Sequence, residues 1–102
     1  MVSEAMMNMN DFNENIRPLL KKYSFEYSFF ANGDFGNLER IEIKGCNKVG
    51  TVEFWSDGWI GLDVYDCSLD DQVINILLSP KEKDLAEQLF NRLLDVLGEK
   101  AS

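Results

Sequence analysis

Apolar and polar residues alternate along the middle of the chain, which is the pattern of strands that bury one face of a sheet. Strands are predicted at 23–30, at 38–44, and twice within a hairpin that spans Val49–Asp71. Because these strands follow one another through short turns, we expect an antiparallel meander. One face of the sheet carries the apolar set Tyr23, Phe25, Tyr27, Phe29, Ile41, Ile43, Val52, Phe54, Ile60, Leu62 and Val64.

A further apolar run, V-I-N-I-L-L at 73–78, fits either a strand or a helical turn. The run is short and partly β-branched, and Ser79-Pro80 ends it, which favours a fifth strand. The sheet is therefore predicted to have four or five strands.

The central hairpin is predicted from its aliphatic side chains. If these share one face, Phe54 lies opposite Ile60 and Trp55 lies opposite Trp59. The loop is then Ser56-Asp57-Gly58, a three-residue type whose last position needs the left-handed conformation that glycine adopts. A two-residue Asp-Gly turn would break the pattern. The two tryptophans then form a cross-strand pair away from the aliphatic core.

The turn before this hairpin, between residues 44 and 49, is predicted from the charges on the two strands that flank it. Pairing Lys44 with Val49 leaves a four-residue loop and places Arg40 beside Glu53. A shift by two residues would oppose Glu42 to Glu53, and like charges directly opposite each other are unfavourable. The first register is therefore expected.

Two helices flank the strands. The first ten residues are rich in Met and Asn, and the start of this segment is expected to fray. Asn10 or Asp11 would cap a helix over 10–22. Pro18 interrupts this helix, which must bend or restart there. Its apolar positions recur at helical spacing: Phe12, Ile16, Leu19, Leu20 and Tyr23.

The second helix begins at a capping box. Ser79 is the N-cap, Pro80 follows at the first helical position, and Glu82 stands at the third. Gly98 is placed as the C-cap. The apolar stripe between them consists of Leu85, Ala86, Leu89, Phe90, Leu93, Val96 and Leu97.

These elements predict one α+β domain over residues 1–102, an antiparallel meander sheet of four to five strands with an N-terminal and a C-terminal helix packed on one face. The other face would be open. An alternative is that one helix crosses over and covers it, which would make the tryptophans ordinary core. The predicted open face carries Glu26, Arg40, Glu42, Lys44, Glu53, Trp55, Trp59, Asp63 and Tyr65.

The composition of the chain argues against several classes of function. The net charge of -8 at pH 7 argues against direct binding to nucleic acid or to an anionic membrane. The chain has no histidine, and its two cysteines, Cys46 and Cys67, do not have the spacing of a zinc site. No signal peptide or membrane-length span is present, so we expect a cytoplasmic domain with free thiols.

Acidic residues gather in the hairpin, and no Lys or Arg occurs between Lys48 and Lys81. Asp57, Asp63 and Asp66 could in principle bind a hard metal or serve as acid and base, but no calcium or phosphate loop pattern accompanies them. We therefore predict no catalytic residue, no metal and no cofactor. The predicted role is binding of a basic protein through aromatic anchors and carboxylates, namely Glu53, Trp55, Asp57, Trp59, Asp63, Tyr65, Asp66, Asp70 and Asp71.

The segments V-G-T-V-E-F-W-S-D-G-W-I-G-L-D-V-Y-D and V-I-N-I-L-L-S-P-K-E-K-D-L-A-E-Q-L-F-N-R-L-L resemble bacterial immunity proteins of contact-dependent growth inhibition systems. The resemblance spans the C-terminal half and is a pattern of strands and one helix. It implies a partner: the C-terminal domain of a secreted toxin, often a basic nuclease acting on tRNA, whose active site or RNA groove the immunity protein covers. Whether a host protein joins through the toxin stays open. A non-enzymatic adaptor or homodimeric assembly subunit using the same face is the alternative.

Overall fold

The structure, a computed structural model, describes residues 8–98. Five antiparallel strands form one sheet in the order β1-β2-β3-β4-β5. Their bounds are β1 Ser24–Gly33, β2 Gly36–Gly45, β3 Lys48–Trp55, β4 Ile60–Asp66 and β5 Asp71–Leu78. The predicted meander is confirmed, and the ambiguous apolar run is its fifth strand. The fraying expected of the first residues falls mainly on 1–7, which lie outside the described range.

Both predicted registers are confirmed. Phe54 pairs with Ile60, and Lys44 pairs with Val49. The second pairing continues for one more residue on each strand and leaves a two-residue turn, Cys46-Asn47. Both turn residues have positive φ, 50° and 62°, as a type I′ hairpin turn requires. The expected four-residue loop is therefore tighter than predicted.

The N-terminal helical segment is irregular because of its proline. Asn8, rather than Asn10 or Asp11, caps it by accepting a hydrogen bond from the Asp11 N–H. After a short α-helix, α1 (Met9–Asp11), the chain forms a π-helical turn over Phe12–Ile16 and a 3₁₀ turn over Arg17–Leu19. Pro18 cannot donate a backbone hydrogen bond, so the regular ladder ends before it. The helical segment restarts at Arg17-Pro18 as a 3₁₀ turn, which is one of the two outcomes that the sequence allowed.

The C-terminal helix begins and ends at the predicted residues. The Ser79–Glu82 capping box is formed, and the chain leaves the helix at Gly98, whose φ is 73°. The first six residues, Pro80–Leu85, form a 3₁₀ helix, and the regular α-helix, α2, covers Ala86–Leu97. The predicted helix is thus two helices of different winding.

Both helical segments pack on the apolar face of the sheet. Phe90 of α2 stacks on Phe54 with ring centroids 6.1 Å apart and meets the edge of Phe12 at 6.3 Å. This face carries the core, which consists of Phe12, Ile16, Leu20, Tyr23, Ile41, Ile43, Val52, Phe54, Ile60, Leu62, Val64, Ile74, Leu78, Ala86, Leu89, Phe90, Leu93 and Leu97.

Three of the predicted core aromatics lie differently from expectation. Tyr23 is buried but precedes β1, and its hydroxyl donates to the Leu97 carbonyl at 2.5 Å. Tyr27 and Phe29 lie on the predicted face but are 39% and 62% exposed. The reason is that β1 is an edge strand, which the helical segments cover only in part.

Candidate partner-binding face

Within residues 8–98, both helical segments lie on one face of the sheet and the opposite face is open, so the alternative in which one of these helices covers it is wrong. We call it the open face. Its charged residues are the acidic Glu26, Glu42, Glu53 and Asp63 and the basic Arg40 and Lys44, and its aromatic residues include Phe30, Trp55, Trp59 and Tyr65. All nine residues that the sequence assigned to this face lie on it.

Carboxylates occupy one row across the open face. Glu26 lies directly opposite Glu42, Glu42 lies opposite Thr51, and Thr51 lies opposite Asp63. Like charges placed directly across strands are unfavourable. The monomer therefore bears an electrostatic cost here that a bound cation would relieve.

Glu53 differs from the carboxylates of this row because it already has a cationic partner. Its Oε2 atom lies 2.7 Å from Arg40 Nη2 and accepts a hydrogen bond from Arg40 Nε at 2.8 Å. The predicted cross-strand ion pair is thus formed. Glu53 is consequently less available to a partner than its sequence position suggested.

Asp63 is the carboxylate most affected by its surroundings. Partial burial raises its pKa, the Glu53 carboxylate raises it further, and the Arg40 guanidinium opposes both effects. Each of the two raising effects disfavours the charged form. A partner's lysine or arginine beside Asp63 would stabilise that charged form.

The tryptophans form an aromatic cluster with a third ring. Phe35, from the β1–β2 turn, stacks on Trp59 at 4.2 Å and meets Trp55 edge-on at 5.5 Å. Both indoles are half-buried. Phe35 is not among the residues predicted from the sequence, although an aromatic residue within a turn is a signal that it packs against something.

The hairpin loop has the predicted three-residue form. The Trp55 N–H donates to the Trp59 carbonyl at 3.0 Å, and the Gly58 N–H donates to the Trp55 carbonyl at 2.9 Å. Gly58 has φ 102°, the conformation for which glycine was expected. The two tryptophans therefore face each other across the strands.

A glycine makes room for Trp55 on the open face. A Cβ on Gly61 would lie 3.1 Å from Trp55 Cζ3 and 3.2 Å from Glu53 Oε1. Because such distances are tighter than ordinary contacts, any larger residue would push the indole outward. Gly61 thus sets how closely the ring lies against the sheet.

Asp57 lies at the junction of two hairpin tips. Its N–H donates to the Phe35 carbonyl at 3.1 Å, and the neighbouring Ser56 N–H donates to the Asn37 carbonyl at 2.8 Å. These bonds hold the β1–β2 turn against the β3–β4 turn. The Asp57 residue itself is exposed.

The remaining predicted binding residues lie at the other end of the sheet. Asp66 is buried; it accepts the N–H groups of Ser68 and Leu69 at 2.9 and 3.1 Å, and its carboxylate lies 4.0 Å from Lys48. It thus shapes the β4–β5 turn. Within that turn, Asp70 accepts a hydrogen bond from the Tyr65 hydroxyl.

Asp71 opens β5 and is exposed, opposite the buried Asp66. The structure therefore divides the nine predicted binding residues. Five lie on the open face, Asp57 lies at the tip of the hairpin, and three lie in or next to the β4–β5 turn.

A cleft of about 570 Å³ lies on the helical side of the same hairpin tip. Phe29, Glu39 and Phe54 of the sheet line it on one side, and Pro80 and Lys83 of the 3₁₀ helix line it on the other. The sequence does not predict this cleft, because its walls come from strands and a 3₁₀ helix that are far apart along the chain.

Within residues 8–98, no group of three or more His, Cys, Asp or Glu side chains could hold a metal ion. Cys46 and Cys67 are free and exposed. No helix in the described part of the chain is long and apolar enough to cross a membrane.

In comparisons with known proteins, no family model matches the chain, and neither a curated protein nor a solved structure is significantly similar to it. The resemblance to immunity proteins stays a prediction.

Proposed function

We propose that this chain is a non-enzymatic inhibitor, an immunity protein that binds a basic toxin domain and blocks its active site or RNA groove. The observation that carries the proposal is the open face, on which carboxylates of neighbouring strands outnumber the cations. The resemblance of the C-terminal half to immunity proteins supplies the partner's class, a nuclease acting on tRNA.

The chemistry of the face suits such a partner. A nuclease that binds RNA needs a positively charged groove. Lysines and arginines from that groove would neutralise the row of Glu26, Glu42 and Asp63, and complementary charges accelerate the encounter. Half-buried indoles at one end of the face supply apolar area that a partner can desolvate.

The alternative, an adaptor or homodimer that uses the same face, receives less support from the charges. Two copies joined through their open faces would bring the same carboxylates together. Light scattering distinguishes the two, because a tight dimer without a partner would favour the alternative.

The experiment that tests the proposal uses the C-terminal domain of the protein encoded by the gene next to that of this chain. Cells that express this domain should grow only when the chain is co-expressed. Asp57→Lys combined with Asp63→Lys should abolish the rescue and weaken binding at least about tenfold, or about 1.4 kcal/mol. If rescue survives, the interface lies elsewhere; if the wild-type chain does not rescue, the immunity role is refuted.

A matched control comes from the helical side. Asp84 is exposed on the 3₁₀ helix, so Asp84→Lys changes the net charge by the same amount per site but leaves the open face intact. We expect Asp84→Lys to bind within about threefold of the wild type. An equal loss from Asp84→Lys would mean that net charge, rather than the open face, drives binding.

A further inference from the structure

The first strand of the sheet, β1, is a long open edge. Among the strands of residues 8–98 it pairs only with β2, and nearly all its residues are exposed. Over its ten residues it carries one charge, Glu26, and neither proline nor lysine. Proteins usually protect such edges with lysines, prolines or short strands, because an unprotected edge accepts another strand.

The register shows which backbone groups of β1 are unpaired. In antiparallel sheets, successive residues direct their N–H and C=O groups to opposite neighbours. The Ser56 N–H bonds the Asn37 carbonyl, so odd-numbered residues of β2 bond β3 and even-numbered ones bond β1. Ser28 pairs with Arg40 and therefore faces β2. Its neighbours Tyr27 and Phe29 direct their N–H and C=O groups outward.

Side chains at this edge are also poorly covered. Phe29 is 62% exposed and lines the cleft, whereas Phe30 is 47% exposed on the open face, where Arg40 lies 5.0 Å from its ring centre. Tyr27 is held by Asn13 and Arg17, which steadies the strand. An added strand would thus find a fixed backbone flanked by exposed rings.

The charges near β1 indicate which kind of side chain the added strand would carry. A residue added beside Glu26 on the open face would extend the row in which Glu26 faces Glu42. A lysine or arginine there would meet a carboxylate pair that forms no ion pair within residues 8–98. A second copy of β1 would bring another Glu26 and no cation, to a chain that already carries -8.

We propose that β1 binds an extended basic strand of the partner by β-sheet addition. The apolar side chains of the partner strand would lie beside Phe29 at the cleft, and a lysine or arginine of the same strand would lie beside Glu26. Main-chain hydrogen bonds would supply affinity, and alternate side chains would supply specificity. The identity of the partner strand as part of a toxin rests on the proposed function; the binding edge does not.

The test follows amide hydrogen exchange by NMR with an acetylated nine-residue peptide that alternates Lys and Val. At millimolar peptide, the exposed N–H groups of Tyr27 and Phe29 should exchange at least about tenfold more slowly, because the added strand bonds them. A peptide that alternates Glu and Val should have no effect. Absence of protection by the basic peptide, or equal protection by both peptides, would overturn the proposal.

A pair of variants isolates the backbone bond. Phe29→Pro removes an outward N–H without removing a bond to β2, whereas Phe29→Ala keeps that N–H and removes only the ring. Peptide protection at Tyr27 should disappear in Phe29→Pro and persist, weakened, in Phe29→Ala. Thermal melting confirms that both variants are folded, and equal protection in both would refute β-sheet addition.

Two further outcomes are separable. If light scattering shows a dimer whose Tyr27 and Phe29 amides are already protected, the occupant is a second copy and the proposal fails. If the chain rescues cells from the toxin but does not bind the peptide, β-sheet addition at β1 is refuted and the immunity role stands. If the chain binds the peptide but does not rescue cells, the immunity role is refuted and β-sheet addition stands.

Discussion

Two tyrosines carry hydrogen-bonded hydroxyls in different surroundings, so the same substitution at each tests how burial sets stability. Tyr23 is 8% exposed, and its hydroxyl donates to the carbonyl of Leu97 at 2.5 Å. That carbonyl lies in the last turn of α2, where carbonyls have no helical partner. Tyr27 is 39% exposed and bonds Arg17 and Asn13 at 2.7 and 2.6 Å.

Because Tyr23 is buried, Tyr23→Phe should lower the unfolding free energy much more than Tyr27→Phe. Tyr23→Phe removes one hydrogen bond and leaves a carbonyl buried without that donor, which costs about 1–3 kcal/mol. For a domain of this size, such a loss lowers the melting temperature by about 5–15 °C. Tyr27→Phe exposes its former partners to water, which replaces the hydroxyl, so its cost should stay within about 0.5 kcal/mol.

Urea denaturation at neutral pH measures both variants against the wild type. We expect the midpoint to fall for Tyr23→Phe with an unchanged dependence of the unfolding free energy on urea, since neither variant alters the surface exposed on unfolding. Equal losses, or a larger loss for Tyr27→Phe, would refute the reasoning that burial of the Leu97 carbonyl determines the cost.

Three further predictions concern stability and reactivity. Asp63→Asn should stabilise the protein at neutral pH, because the pKa of the Asp63 carboxyl is raised above 3.8 in the folded state and its ionisation therefore disfavours folding. The gain in unfolding free energy should vanish below pH 3.8, where the carboxyl is protonated in both states, and urea denaturation at several pH values measures it. Phe90→Ala should lower the unfolding free energy by about 3–5 kcal/mol in urea, since Phe90 is fully buried between Phe12 and Phe54. Cys46 and Cys67 should both react with a thiol reagent in the native protein, whereas slow reaction before unfolding would contradict their exposure.

The registers of the sheet could be predicted because a wrong register is energetically unfavourable. A shift of one residue would move every apolar side chain to the wrong face, so the aliphatic pattern alone placed Phe54 opposite Ile60. Charges set the other register, in which Arg40 meets Glu53. The capping box at Ser79 was equally readable, because its three positions are adjacent in the sequence.

What the sequence could not predict depends on coverage by distant elements. Alternation placed Phe29 on the apolar side of the sheet, but its exposure depends on where the helical segments end. Asp66 was assigned to the partner surface together with its acidic neighbours. Its carboxylate instead accepts two backbone N–H groups of its own turn, a local bond that composition does not reveal.

Both proposed binding surfaces include Glu26. It belongs to the β1 edge through its backbone strand and to the open face through its carboxylate, which lies across from Glu42. A partner strand on β1 would therefore place its cation at the end of the carboxylate row, and the rest of the partner could continue along that row towards Asp63. Glu26 and Asp63 lie three strand spacings apart, about 14 Å, a separation at which the effects of two substitutions usually add. If the partner uses both surfaces, Glu26→Gln and Asp63→Asn should each weaken binding, and the double variant should lose the sum of the two effects within about 0.5 kcal/mol. Binding that Glu26→Gln leaves unchanged would instead indicate that the partner does not reach the β1 edge.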